Sequence, residues 1–177
     1  MKSKWTLSVI VGLVALAALA AYAANVLATP ATVPGFSGTT LAKATYGELD
    51  SHVIAEPAWQ AKIKTHGASD LYVQQNTWDP SLCAGCIPGT GWHTHPGPSF
   101  IIVTQGSVTV YDGDDPTCTP HVYTANTANN AFVDPGGGHV HIIRNETGSV
   151  AKTTAVQLIP AGADRRQDSP DPGNCSF

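Results

Sequence analysis

From residue 71 onward the chain alternates short apolar or β-branched runs with clusters of Gly, Pro, Asn and Asp. Residues 71–78 (LYVQQNTW), 99–104 (SFIIVT), 107–111 (SVTVY), 121–124, 131–133, 139–145 and 151–159 each have the length and residue types of a strand. Residues 92–95 make a shorter one before the turn Pro96-Gly97-Pro98, and 79–91 form a loop. The turns between them are as explicit, among them Gln105-Gly106 and 134–138 (DPGGG). Closely spaced strands of this kind predict an antiparallel sandwich or barrel. The helix content should lie below about a fifth, under the ordinary globular share. Upstream the pattern fades: 29–38 is rich in Pro, Gly and Thr and reads as a linker, and 41–66 has no clear period, with a short helix expected around 57–62. The predicted organisation is therefore a leader over 1–28, a linker and N-terminal extension over 29–66, a barrel over 67–163 and a polar, Pro-rich tail over 164–177.

Three features of composition sharpen this. Residues 1–28 start with Lys2 and Lys4, run apolar from 7 to 20, and reach Ala21-Tyr22-Ala23, with Val26-Leu27-Ala28 as a second cleavage candidate. That is the pattern of a secretory signal peptide; the alternative is an uncleaved membrane anchor, since 7–24 is nearly long enough to span. Cleavage removes two Lys and no acid, so the formal charge of -4 becomes -6. With no basic cluster beyond Arg165-Arg166, nucleic acid is excluded as a partner, because phosphate binding needs concentrated positive charge. Cys83, Cys86, Cys118 and Cys175 all follow the leader, and an even count in an exported chain favours disulfides. Cys83-x-x-Cys86 could instead be a redox motif or half a zinc site, but no βαβ pattern or second CxxC supports either reading. The expected location is secreted or periplasmic, with no membrane contact after cleavage.

Four of the seven histidines fall in two H-x-H pairs, His93/His95 and His139/His141, each beside a Pro-Gly turn. Residues two apart on a strand point to one face, and neutral imidazole is the commonest protein metal ligand. Two converging strands could thus supply three ligands to one ion.

Here the chain resembles the cupin superfamily. Its first motif is a Gly-bounded H-x-H, an acidic residue four positions on, and a Gly seven further. This chain has Gly91-Trp92-His93-Thr94-His95, then Ser99, then Gly106. The second motif, Pro-x-Gly-x-x-His-x-x-x-Asn, is met by Gly138, His141 and Asn145, with Pro135 one residue too far upstream. The resemblance covers about residues 70–160. It implies an antiparallel double-stranded β-helix, or jelly-roll barrel, with His93, His95 and His141 as metal ligands. Ser99 stands where the family has its acidic ligand. A site of three neutral histidines suits Zn, Fe, Ni or Cu better than Mn. His139 is either a fourth ligand or an anchor of the Gly-rich turn, the displaced Pro135 favouring the second through a bulge that turns one ring away. His121 could line the cavity. Trp78 and Trp92 are read as packing, and Asp112, Asp114 and Asp115 as a solvated turn.

In such a barrel successive loops alternate between the two ends. The loop bearing Cys118 and the chain leaving the last strand share an end, which predicts Cys118–Cys175, with Cys83 and Cys86 bridged locally or left reduced. The fold alone does not fix an activity. One reading is a metal-dependent, oxygenase-type enzyme acting on a small organic molecule; another is a module that holds a metal or small ligand without changing it; a third is a barrel stapled by its metal. A homodimer is compatible with each. No general base is evident in the motif region; cavity-lining carboxylates near the histidines would favour the enzyme, and a sealed cavity the metal-stapled barrel.

Overall fold

In strand β11 (Ala151–Pro160) alternate side chains are buried: Ala151, Thr153, Ala155, Gln157 and Ile159 face inward. This period of two turns one face of a strand to a core and the other to water. The computed structural model describes residues 34–55 and 59–177, and every regular element among them is a strand except a 3-10 turn at Pro80–Leu82. The strands are β1 (Phe36–Tyr46), β2 (Asp50–Ala55), β3 (Trp59–Lys64), β4 (Ser69–Trp78), β5 (His93–Thr94), β6 (Ser99–Gln105), β7 (Ser107–Asp112), β8 (His121–Thr124), β9 (Ala131–Asp134), β10 (His141–Arg144), β11 and β12 (Gln167–Asp168).

Two five-stranded antiparallel sheets face each other, in the orders β1-β4-β11-β6-β9 and β12-β5-β10-β7-β8, and β2-β3 forms a separate hairpin. The all-β jelly-roll expectation is met. The chain crosses from one sheet to the other at Gly106, the glycine of the first motif, between β6 and β7. Its φ is +64°, and a Cβ there would stand 2.6 Å from Val150 O. Only glycine fits that backbone without strain.

Two apolar clusters form, one between the sheets and one on the opposite face of the β12-β5-β10-β7-β8 sheet, under the C-terminal segment. Trp78, fully buried, packs with Val103, Val108, Val110, Ile143 and Ala151, and Phe36 closes on its ring at 5.1 Å between centroids. Trp92, Tyr111 and Ile142 form the other, against Cys118 and Cys175. Both tryptophans are packing residues, as expected. Asn145 of the second motif is structural too: buried, it donates to Ser149 O at 2.7 Å and accepts from Thr147, fixing the turn between β10 and β11.

The N-terminal expectations need correction. Residues 36–38, placed in a linker, begin β1, which pairs with β4 along its whole length. Residues 59–62, placed in a helix, lie in β3, where Trp59 faces Ala55 and Ile63 faces Ser51 across the hairpin; Pro57 and Ala58 lie outside the described residues. β1 is an exposed edge strand held by backbone pairing and by Asp70. Asp70 receives Lys43 Nζ at 2.8 Å, Thr45 Oγ1 at 2.6 Å and Gly162 N at 3.0 Å, which together bring its carboxyl down to about 2. A strand with no buried face carries no apolar alternation to read. Residues 167–168, placed in the tail, pair with β5 as β12. The leader over 1–28 lies outside the described residues, and no helix among those described is long and apolar enough to cross a membrane.

Both cysteine pairs sit at disulfide distance, Cys118–Cys175 with Cα atoms 5.2 Å apart and Cys83–Cys86 with 5.3 Å. They enclose very different lengths of chain, with separations of 57 and 3 residues. On the chain-entropy account the long bridge contributes about 4 kcal/mol and the short one about 1.5 kcal/mol. Denaturant titration of Cys118→Ala/Cys175→Ala should therefore show a clearly larger loss than Cys83→Ala/Cys86→Ala; equal losses would contradict this.

Candidate metal centre

His93 on β5 lies directly opposite His141 on β10, so strand register alone brings the two motifs together. His95 follows two residues later on the same face. Ring centroids are 4.3 Å apart for His93–His141, 4.8 Å for His93–His95 and 5.5 Å for His95–His141. One ligand atom from each falls within 4.8 Å of the others, and all three side chains are buried.

The backbone around them explains this convergence. Gly91, at φ +70°, presents its carbonyl to His93 Nδ1 at 2.9 Å. His95 Nδ1 bonds to Arg165 O at 2.7 Å, a contact supplied by the segment that leads into β12. The Pro96-Gly97-Pro98 turn lies against Gly136: a Cβ on Gly136 would collide with Gly97 O, and Gly137 N donates to His95 O at 2.8 Å. The Gly-rich turn therefore holds His95 in place. With Nδ1 of His93 and His95 held by carbonyls, each ring offers Nε2 to the cavity, the usual way a second partner orients a metal-binding imidazole.

Asp134, at the end of β9, was read from sequence as the first residue of a turn. It is the residue sequence reasoning missed. Ser99 and Asp134 are partners across β6–β9, so the carboxylate absent at 99 stands on the adjacent strand. Only 3% exposed, Asp134 places Oδ1 3.7 Å from His141 Nδ1 and Oδ2 4.0 Å from His95 Nε2. Asp134 Oδ2 and His141 Nδ1 are both buried without a hydrogen-bond partner. Its only sequence signal was its position ahead of a Pro-Gly turn, and the pairing that brings it beside the histidines spans 35 residues.

His139 is not part of the three-histidine cluster. It precedes β10 and turns to Asp134 Oδ1 at 3.2 Å and Asp112 Oδ1 at 3.4 Å. It also forms a second group with Asp134 and His141. His121 lines a second cavity of about 220 Å³ with Asp112, Asp134, His139 and His141, its Nε2 3.8 Å from Asp112 Oδ2. Asp112 thus joins this network rather than only a solvated turn, while Asp115 does close a turn on Thr117 and Thr119. Ser99 lines the cavity beside the cluster and accepts from Gln157 Nε2 at 2.9 Å. Glu146 accepts from Tyr111 OH at 3.0 Å, on the wall of the second apolar cluster.

Burial sets the electrostatics. Desolvation lowers His93 well below the usual imidazole value, and lowers His95 and His141 to about 4, with neighbouring imidazoles adding to the effect. The three rings are therefore neutral near pH 7 with lone pairs free, which is the state that ligates a cation. A transition metal fits the donor set: three neutral imidazoles facing one another, beside a buried carboxylate with an unpaired oxygen.

The two facing antiparallel sheets, with the motif strands β5 and β10 side by side, make this a jelly-roll barrel. Among solved structures the chain is similar to a cupin superfamily protein from Desulfitobacterium hafniense, at 10% identity over 68% of this chain and 81% of that one, TM-score 0.39. A cupin domain from Bordetella pertussis matches at 13% identity over 71% and 94%, TM-score 0.42. An oxalate oxidase matches at 17% identity over 54% and 50%, TM-score 0.39. No model of a known family matches the chain, and no curated protein does.

The lowered imidazole values fix the sign of a pH effect. The unfolded chain takes up these protons near pH 6.5 and the folded one only near pH 4, so stability falls on acidification through that window. For His95 and His141 the loss is on the order of a few kcal/mol each, and His93 shifts in the same direction. Thermal unfolding of the metal-free protein should show a midpoint dropping by roughly 10 °C or more between pH 7 and pH 4; an unchanged midpoint would mean the rings are not buried neutral.

Proposed function

We propose that the protein is an exported metal-binding barrel that holds one divalent transition ion, Zn, Fe, Ni or Cu, through His93, His95 and His141, and carries out metal-centred, oxygenase-type chemistry on a small organic molecule. The observation that carries this reading is the buried three-imidazole cluster opening on a cavity of about 230 Å³. A bound ion would supply Lewis-acid or redox chemistry at coordination positions that the histidines leave open. The cavity walls include Gln74, Asn76, Thr90, Ser99, Gln157, Arg165 and Arg166 as polar groups.

What this chain adds is positioning and proton handling. The carbonyls of Gly91 and Arg165 fix which ring nitrogens face the cavity. Asp134 bears on both His95 and His141 as a buried carboxylate. It balances part of an ion's charge, and it can accept a proton at Oδ2. It lines a neighbouring cavity of about 220 Å³ with His139 and His141, and a carboxylate beside the histidines supports the enzyme reading over the non-catalytic binding module. Export is supported by the leader pattern and by two cysteine pairs at disulfide distance.

Elemental mass spectrometry of the purified protein tests the core of this. We expect about one transition metal atom per chain, with His93→Ala, His95→Ala and His141→Ala each removing most of it. His139→Ala should leave the content nearly intact. Asp134→Asn should weaken affinity by roughly 10–100-fold, the usual cost of losing a group that orients a ligand. Ser99→Glu should shift the preference toward Mn or Fe(II) over Zn. No bound metal, or full metal retained in His141→Ala, would contradict the proposal.

A further inference from the structure

The two arginines on the cavity wall are held very differently. Arg166 is engaged: Nε donates to Asp168 Oδ1 at 2.7 Å and Nη2 donates to Thr90 O at 2.8 Å. Arg165 is not. Its one hydrogen bond through the guanidinium is a long one, Nη1 to Gln157 Oε1 at 3.4 Å, and no carboxylate lies within ion-pair reach of it among the described residues. Yet it is half-buried and lines the same cavity as His93, His95 and His141. Burial works against its charge, although a guanidinium stays protonated throughout the working pH range.

The backbone holds this side chain in place. Gly162 N is tied to Asp70, Ala161 N to Ala68 O at 3.0 Å, and Arg165 O to His95 Nδ1. The residue that orients a metal ligand through its carbonyl therefore sends its cation into the cavity beside that ligand. With an ion on three neutral histidines, the cavity gathers positive charge from the metal and from Arg165, against the single nearby carboxylate of Asp134. A planar guanidinium with free N–H groups matches a carboxylate in a two-pronged contact. The volume, about 230 Å³, is smaller than a drug-sized pocket.

From this arrangement we infer that the ligand of the cavity is a small carboxylic acid, bound as its anion with the carboxylate on Arg165 and the rest of the molecule directed toward the histidine cluster. This rests on the metal-site reading above for where the reacting end of the ligand lies, but the carboxylate contact itself depends only on Arg165.

Isothermal titration of the full-length purified protein, metal-loaded and metal-free, with acetate, malonate and succinate tests it, with malonamide as the uncharged control. At least one of the three anions should bind, and malonamide should bind at least tenfold more weakly than malonate. Arg165→Gln should weaken anion binding at least tenfold in both forms while metal content stays that of the wild type, because the bond to His95 comes from the main chain. Should Arg165→Gln fail to fold, Arg165→Lys carries the same test, with an expected loss of several-fold. Binding of none of the anions, malonamide matching malonate, or an Arg165 variant that binds like wild type would overturn the inference. The metal-free titration keeps the two claims apart: a chain that takes up no metal refutes the proposed function, while loss of anion binding on removing Arg165 still decides this one.

Discussion

The arrangement of this barrel turns on the placement of three neutral imidazoles and one carboxylate in a space from which water is largely excluded. Burial of this kind is costly unless the groups are paired or ligate a cation. Two of the imidazoles are satisfied on one side by main-chain carbonyls, those of Gly91 and Arg165. The third, His141, and the carboxylate of Asp134 each retain a buried atom with no partner. A divalent ion would resolve the imbalance at once: it takes up the free lone pairs and offsets the buried negative charge.

Much of the surrounding chain serves that placement. Register across β5 and β10 sets His93 against His141. Glycines at 97 and 136 let two turns approach closely enough for Gly137 to bond His95 O. The C-terminal segment returns over the barrel, pairs β12 with β5, and accepts a hydrogen bond from His95 Nδ1 at the carbonyl of Arg165. The Cys118–Cys175 pair fastens the end of that segment to the body of the barrel, where Phe177 stacks under the Arg144 guanidinium at 3.5 Å. The tail is thus part of the site.

What could be read in the sequence followed from local periodicity. β8 was placed residue for residue, and β6, β7, β9 and β11 to within a residue, since each alternates or runs apolar between explicit turns. The histidine cluster was legible because H-x-H fixes a shared face and two such pairs invite a common point. β1 was not legible: an exposed edge strand has no buried face, and its partner lies some thirty residues away. The hairpin β2–β3 failed for the same reason. Asp134 was hidden differently. A carboxylate four residues after the H-x-H pair would have been visible as a motif, whereas one brought in by cross-strand pairing with Ser99 becomes visible only once the sheet is built. Arg165, likewise, lay in what looked like a polar tail.

A crystal structure of the metal-loaded protein, with anomalous data collected at the absorption edge of the ion, bears most directly on the central claim. The account predicts a single strong anomalous peak inside the barrel, about 2.0–2.1 Å from one ring nitrogen each of His93, His95 and His141, with Asp134 drawn toward His141 or the ion. A peak elsewhere on the chain, or no peak with the three rings hydrogen-bonded only to protein and water, would contradict it.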